Sequence, residues 1–123
     1  MAKRARHVVE ECERTVAAVE SLRHNDVESF GQAMNESHRT LRDYYEVSCA
    51  ELDVMVNAAQ SLEGCYGARL TGAGFGGCAV ALVAASCADD FKRELAKRYE
   101  AATGITPEIY VCRASDGAGI VGR

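Results

Sequence analysis

The sequence predicts an α+β fold, a small and mostly antiparallel sheet with helices packed on it, and three observations predict it. Apolar residues recur at helical spacing through the first half of the chain. After Gly64 the period changes to short strand-like runs on either side of a glycine cluster. One further amphipathic helix then separates those runs from a final β-rich segment.

Each element has its own signal. Val8, Cys12, Val16, Val19 and Leu22 fall at spacings of three and four with charged residues between them, one face of a first helix. Arg23-His24-Asn25-Asp26 interrupts it, and Asn25 with Glu28 offers a capping box to a second helix. Val27, Phe30, Met34, Leu41 and Tyr45 continue a helical stripe, with Ser37 and His38 standing where an apolar residue is expected. Ser48-Cys-Ala-Glu51 is a second capping box, ahead of Leu52, Met55, Val56 and Ala59 in a third helix that ends near Gly64. Cys65–Thr71 reads as a strand and Cys78–Val83 as a buried strand. Ser86-Cys-Ala-Asp89 caps a fourth helix whose Phe91, Leu95 and Tyr99 face inward before Thr103-Gly104 closes it. Pro107–Arg113, with β-branched and aromatic residues, reads as a last strand.

Composition narrows the function classes. At 123 residues the chain is expected to be a single domain, 1–123, with one core. A formal charge of -4 leaves no basic stripe, so nucleic acid is not an expected partner. The longest apolar run, Cys78 to Ala85, is eight residues long, against the about 20 a bilayer-spanning helix needs. No membrane partner is expected, and Met-Ala-Lys-Arg-Ala-Arg-His lacks a secretory apolar segment. The six cysteines form no Cys-x-x-Cys pair, so no metal site is expected. Cys12, Cys78 and Cys112 lie within apolar patterns and are expected to be buried, which suits a reducing, cytoplasmic setting.

The glycine cluster asks for a chemical explanation. Leu70-Thr-Gly-Ala-Gly-Phe-Gly-Gly-Cys78 places four glycines within six residues. Gly72-x-Gly74-x-x-Gly77 matches the dinucleotide fingerprint in form, but a strand-length run follows it where that motif needs a helix. A tight hairpin would need only two such residues. The surplus favours close approach by a ligand or another backbone, with amides forming an anion-friendly concavity.

At these residues the chain resembles a known family. Gly67-Ala-Arg-Leu-Thr-Gly-Ala-Gly-Phe-Gly-Gly-Cys78 is similar to the third, C-terminal motif of the GHMP kinases, in the form that galactokinases carry. Met34-Asn-Glu-Ser-His-Arg-Thr-Leu-Arg-Asp43, Tyr45-Glu-Val-Ser-Cys49, Glu51-Leu-Asp53 and Val111-Cys-Arg-Ala-Ser-Asp-Gly-Ala-Gly119 resemble galactokinases in the same order along the chain. One departure is visible: Tyr44 stands where galactokinases usually have a second aspartate.

The resemblance implies a C-terminal domain of the GHMP kinase, ferredoxin-like type, and transfer of the γ-phosphate of ATP, with Mg2+, to galactose. It assigns the nucleotide- and phosphate-loop-facing role to Thr71, Gly72, Ala73, Gly74, Phe75, Gly76 and Gly77. Neither the Gly-Glu-His-Thr-Asp nor the Gly-Leu-Ser-Ser-Ser signature of the N-terminal domain occurs here, so no catalytic residue is expected in this stretch and an N-terminal galactokinase domain is the expected partner. Phosphoryl transfer needs phosphates, metal and attacking oxygen held in line together, so the chain is expected to be inactive alone.

Ser37, His38 and Arg69 are candidate cleft-lining residues, although a histidine satisfied within a core and an arginine facing a carboxylate are the plainer readings. Asp43 and Glu46 are expected to be caps or solvated groups, and Lys92, Arg93, Lys97 and Arg98 to form the solvated face of the fourth helix. An apolar patch around Leu70, Phe75 and the face near His38 is expected to be open in the isolated chain and to drive self-association. The alternatives are a kinase-derived module that binds or regulates without catalysis, and the C-terminal domain of another GHMP kinase.

Overall fold

A computed structural model describes residues 2–46, 48–71 and 78–113. Helix α1 (Ala2–Arg23) turns through His24 to Asp26 into α2 (Val27–Thr40), which runs on into a π-helical turn, Leu41–Tyr45. Then come α3 (Ala50–Ser61), strands β1 (Cys65–Thr71) and β2 (Cys78–Val83), a 3-10 turn at Ala85–Cys87 and α4 (Ala88–Thr103). The strands pair antiparallel, with Ala68 opposite Ala81, Leu70 opposite Ala79 and Thr71 opposite Cys78. Among the described residues this is an α+β domain whose sheet has two strands.

One face of the hairpin makes the core. Ala68, Ala79, Ala81 and Val83 pack with Val56 and Ala59 of α3 and with Phe91 and Leu95 of α4. Leu70 joins Leu41 and Leu52 beside them. Phe91, Leu95 and Tyr99 of α4 face inward as their spacing requires, while Lys92, Arg93, Lys97 and Arg98 are exposed. Gly104 closes α4 with φ 73°, its N–H donating to the Glu100 carbonyl, a backbone state that a residue without Cβ adopts freely.

Several expectations are corrected. The cap of α2 is Asp26, whose carboxylate accepts the Ser29 N–H, while Asn25 takes the turn with φ 56°. Ser48 and Ser86 cap nothing: α3 and α4 begin after Cys49 and Cys87 with no side-chain cap bond. Pro107–Arg113 forms no strand, because it pairs with neither β1 nor β2 and brings only Ile109 against the core. Strand propensity needs a partner backbone to be realised. The strand β2 is only half-buried, its Ala79, Ala81 and Val83 packing on the core while Val80 is exposed, and Cys12, Cys78 and Cys112 are exposed thiols. The apolar stripe of α1 also points outward: Val8, Val16, Val19 and Leu22 are exposed, and His7 is the buried residue of that helix.

Candidate functional site

The site is built around β1, the strand that leads into the glycine segment. Thr71 is its exposed last residue, paired with Cys78 across the hairpin. Gly72, Ala73, Gly74, Phe75, Gly76 and Gly77 lie outside the described residues. What the structure does describe is how the strand that carries them is mounted.

On its second edge, away from β2, side chains take the place of a neighbouring strand. Asn35 Oδ1 accepts the Ala68 N–H at 2.9 Å, and Gln60 Nε2 donates to the Ala68 carbonyl at 3.2 Å. His38 Nδ1 accepts the Leu70 N–H at 3.1 Å, and Arg69 Nε donates to the Leu70 carbonyl at 2.9 Å. Backbone polar groups at a strand edge must find partners when water is excluded, and here four side chains supply them.

His38 is held from both nitrogens. Since Nδ1 accepts from a backbone N–H, the ring proton sits on Nε2, which donates to Asp53 Oδ1 at 3.0 Å. Ser48 Oγ donates to the same carboxylate oxygen at 2.7 Å. Burial lowers the basicity of His38 and outweighs the opposing pull of Asp53. A second proton would also have to sit on Nδ1, facing the Leu70 N–H.

A second buried polar cluster joins α1 to α2. His7 Nδ1 and Thr40 Oγ1 are 2.7 Å apart, Ser37 Oγ donates to Glu11 Oε2 at 2.6 Å, and Arg14 Nη1 donates to Glu11 Oε1 at 2.7 Å. Arg69 Nη1 approaches Glu11 Oε2 at 4.0 Å, so the arginine before the glycine segment faces a carboxylate. Burial works against the Glu11 charge, but the Ser37 hydroxyl and Arg14 prevail and hold its carboxyl below the usual range. His7 is made less basic by burial, with Arg14 and Arg69 adding to the effect and Glu11 and Glu10 opposing it.

Ser37 and His38 therefore do not line an open cleft; both are buried, at 2% and 1% exposure. Leu70 is likewise buried at 1%, so it contributes no open patch, and Phe75 lies outside the described residues. Asp43 pairs with its neighbour Arg42, and Glu46 ends the π-helical turn with φ 64°. Tyr44 meets two cations, with the Arg6 and Arg39 guanidinium carbons 4.8 and 5.5 Å from its ring centre. At the position where a carboxylate was expected, the ring face meets the arginines instead. Asn35, Gln60, Asp53 and Glu11 are not among the candidate residues read from the sequence, although Asn35 and Asp53 lie in the stretches that carry the resemblance; the spacing of Asn35 and His38, three apart on α2, was a further signal.

The two buried histidines set a pH response. Both are less basic folded than unfolded, so the unfolded chain binds more protons as pH falls below about 6.5. For His38 the charged neighbours are Asp53, Arg42 and Arg69; for His7 they are Glu11, Glu10, Arg14 and Arg69. Stability is expected to be full above pH 6.5 and to fall by up to about 1.4 kcal/mol per pH unit for each histidine below it. Urea midpoints at pH 7.5 and 5.5, above the range where Glu11 titrates, measure this. An unchanged midpoint would mean that the folded protein accepts those protons.

A family model described as GHMP kinases C terminal matches residues 18–101. A galactokinase of Roseiflexus sp. (strain RS-1) is 56% identical over 118 residues, covering 96% of this chain and 30% of its own length. The Homo sapiens galactokinase is 50% identical over 119 residues, covering 97% of this chain and 29% of its own length. The crystal structure of Lactococcus lactis galactokinase complexed with galactose has a TM-score of 0.81 at 44% identity, covering 85% of this chain and 27% of that one. The chain thus spans about 30% of the length of the curated relatives it matches. Since the family match runs through α2, α3, the hairpin and most of α4, the elements that build the core and mount the glycine segment, this chain belongs to the GHMP kinase family as a C-terminal domain.

Proposed function

We propose that this chain, 1–123, is the C-terminal domain of a galactokinase. The complete enzyme transfers the γ-phosphate of ATP to galactose, giving galactose 1-phosphate, in the cytoplasm. Thr71 and the segment Gly72 to Gly77 form one wall of the cleft, facing the nucleotide phosphates and the phosphate loop of an N-terminal domain that supplies the sugar site. Mg2+ accompanies the nucleotide. In this reading the part of the chain that ends β1 serves to place backbone amides at the phosphates.

The observation that carries the reading is the mounting of the glycine segment. Thr71 and Cys78 are paired at its two ends, and β1 is bonded along both edges, by β2 on one side and by side chains of α2 and α3 on the other. Electrostatic stabilisation of a transferring phosphoryl group requires donors that are already fixed in place. The exposed apolar residues of α1, with Val80 on the open face of the hairpin, support a surface that the N-terminal domain, or a second copy of the isolated chain, covers. Among the described residues no helix is long and apolar enough to cross a membrane.

ADP release with galactose and Mg·ATP tests the reading, with the 123-residue chain alone beside the chain continued upstream through the sugar-binding and phosphate-loop segments. The short chain is expected to be silent and the longer one to turn over. Turnover by the short chain would mean that its own residues complete a site. Silence from both would favour a non-catalytic binding module.

A further inference from the structure

The polar residues that interrupt the apolar stripe of α2 lie in step with β1. Gly31 sits against Tyr66 and Gly67, Asn35 bonds Ala68 and His38 bonds Leu70. The helix and the strand therefore advance in the same direction. Seven helical residues, Gly31 to His38, advance about 10.5 Å, and three strand residues, Gly67 to Leu70, advance about 10 Å. The helix can thus present one hydrogen-bonding group to each backbone N–H that β1 turns toward it, at Ala68 and at Leu70, without either element bending.

We propose that Asn35 and His38 form a side-chain ladder that substitutes for a third strand along β1, and that His38 is the positioning residue of the glycine segment that β1 carries. The second half of this statement rests on the galactokinase reading for its catalytic meaning. Asn35 fixes the strand at Ala68. His38 fixes it at Leu70, the last inward-facing residue before the segment, and Asp53 with Ser48 fixes His38 in turn. This chain of contacts ties the exit of β1 to α2 and α3 through one imidazole in one tautomer. Residues 34–43 include both ladder members, so the block preceding the glycine motif serves to hold the strand that leads into it.

Two substitutions separate the ladder from mere filling of space. In His38→Asn the amide oxygen falls near the place of Nδ1, so Leu70 keeps its acceptor while the contact to Asp53 is lost. In His38→Gln the amide nitrogen reaches toward Asp53, the bulk is better preserved, and the acceptor for Leu70 is lost. Backbone amide spectra of the 123-residue chain are read first. Hydrogen exchange at Leu70 is expected to quicken at least tenfold in the Gln variant and to stay within about threefold in the Asn variant. Amide shifts at Thr71 and residues 72–77 should move in the Gln variant and much less in the Asn variant. The ring nitrogen shifts of the unsubstituted chain should report a proton on Nε2 alone.

In the longer enzyme, the Gln variant is expected to raise KM for ATP about tenfold with KM for galactose unchanged, and the Asn variant to restore it. A role in packing alone predicts the reverse order, with Gln the milder change, and that order would overturn the proposal. So would Leu70 exchange that is indifferent to the choice of amide, or unmoved amide shifts at 71–77. If the unsubstituted longer enzyme fails to turn over, the kinase reading fails while the exchange and shift measurements still decide the ladder.

Discussion

Gly31→Ala is expected to cost about 3 kcal/mol or more of folding stability, seen as a lower urea or thermal midpoint. The sign runs against helix propensity, which favours alanine over glycine by about 1 kcal/mol within a helix. Packing reverses it. A methyl group at Gly31 would fall within the Tyr66 carbonyl, with Tyr66 Cβ only 2.7 Å away, and a methyl at Gly67 would enter the Gly31 backbone. Backbone atoms cannot swing aside as a flexible side chain can, so relief requires α2 to lift from β1. That motion would stretch the Asn35–Ala68 and His38–Leu70 hydrogen bonds together. Gly104→Ala provides the contrast: nothing lies within 4 Å of its added carbon, and the cost is the strain of φ 73° alone, about 1 kcal/mol. A Gly31→Ala protein as stable as the parent would mean that the helix does not ride on the strand edge.

This close approach also explains what the sequence made legible and what it concealed. The period of α4, with Phe91, Leu95 and Tyr99 inward, is the ordinary amphipathic pattern of a helix on an apolar face, and it reads directly. The two strands read directly too, because strand-like runs mark their bounds at Cys65–Thr71 and Cys78–Val83. Helix α2 defeats the same logic. It packs against a strand edge, where the demand is for hydrogen-bond partners, so its buried face carries Gly31, Ser37, His38 and Thr40 while Val27 is exposed. The residues that looked like interruptions are the contact surface. Helix α1 misleads in the opposite sense, because its apolar stripe is exposed and its attachment to α2 runs through His7, Glu11 and Arg14. An apolar period reports a face to be covered, and a single chain does not say by what. The glycine motif and the block ahead of it were visible as patterns, but that the block holds the strand feeding the motif depends on pairings between α2 and β1 about 33 positions apart.

Leu70→Ala is the other large effect, an expected loss of about 3 kcal/mol, within the range of about 2–5 kcal/mol for truncating a buried leucine. Leu70 is 1% exposed and packs with Leu41 of the π-helical turn and Leu52 of α3. Its removal would leave a cavity where three elements meet, directly beside the amide that His38 holds. The alternative view of Leu70, as part of an apolar surface awaiting a second domain, predicts little change in stability and better solubility. Val80→Thr makes the comparison internal, since Val80 lies on the opposite face of the same hairpin and is 47% exposed. That change is expected to stay within about 0.5 kcal/mol. A large loss at Leu70 with a negligible one at Val80 would assign the two faces of the hairpin, one to the core and the other to whatever covers the open side. Equal small losses would mean that the Leu41–Leu52–Leu70 cluster contributes little when the chain is alone, and that the strand entering the glycine segment is held by its hydrogen bonds rather than by its core.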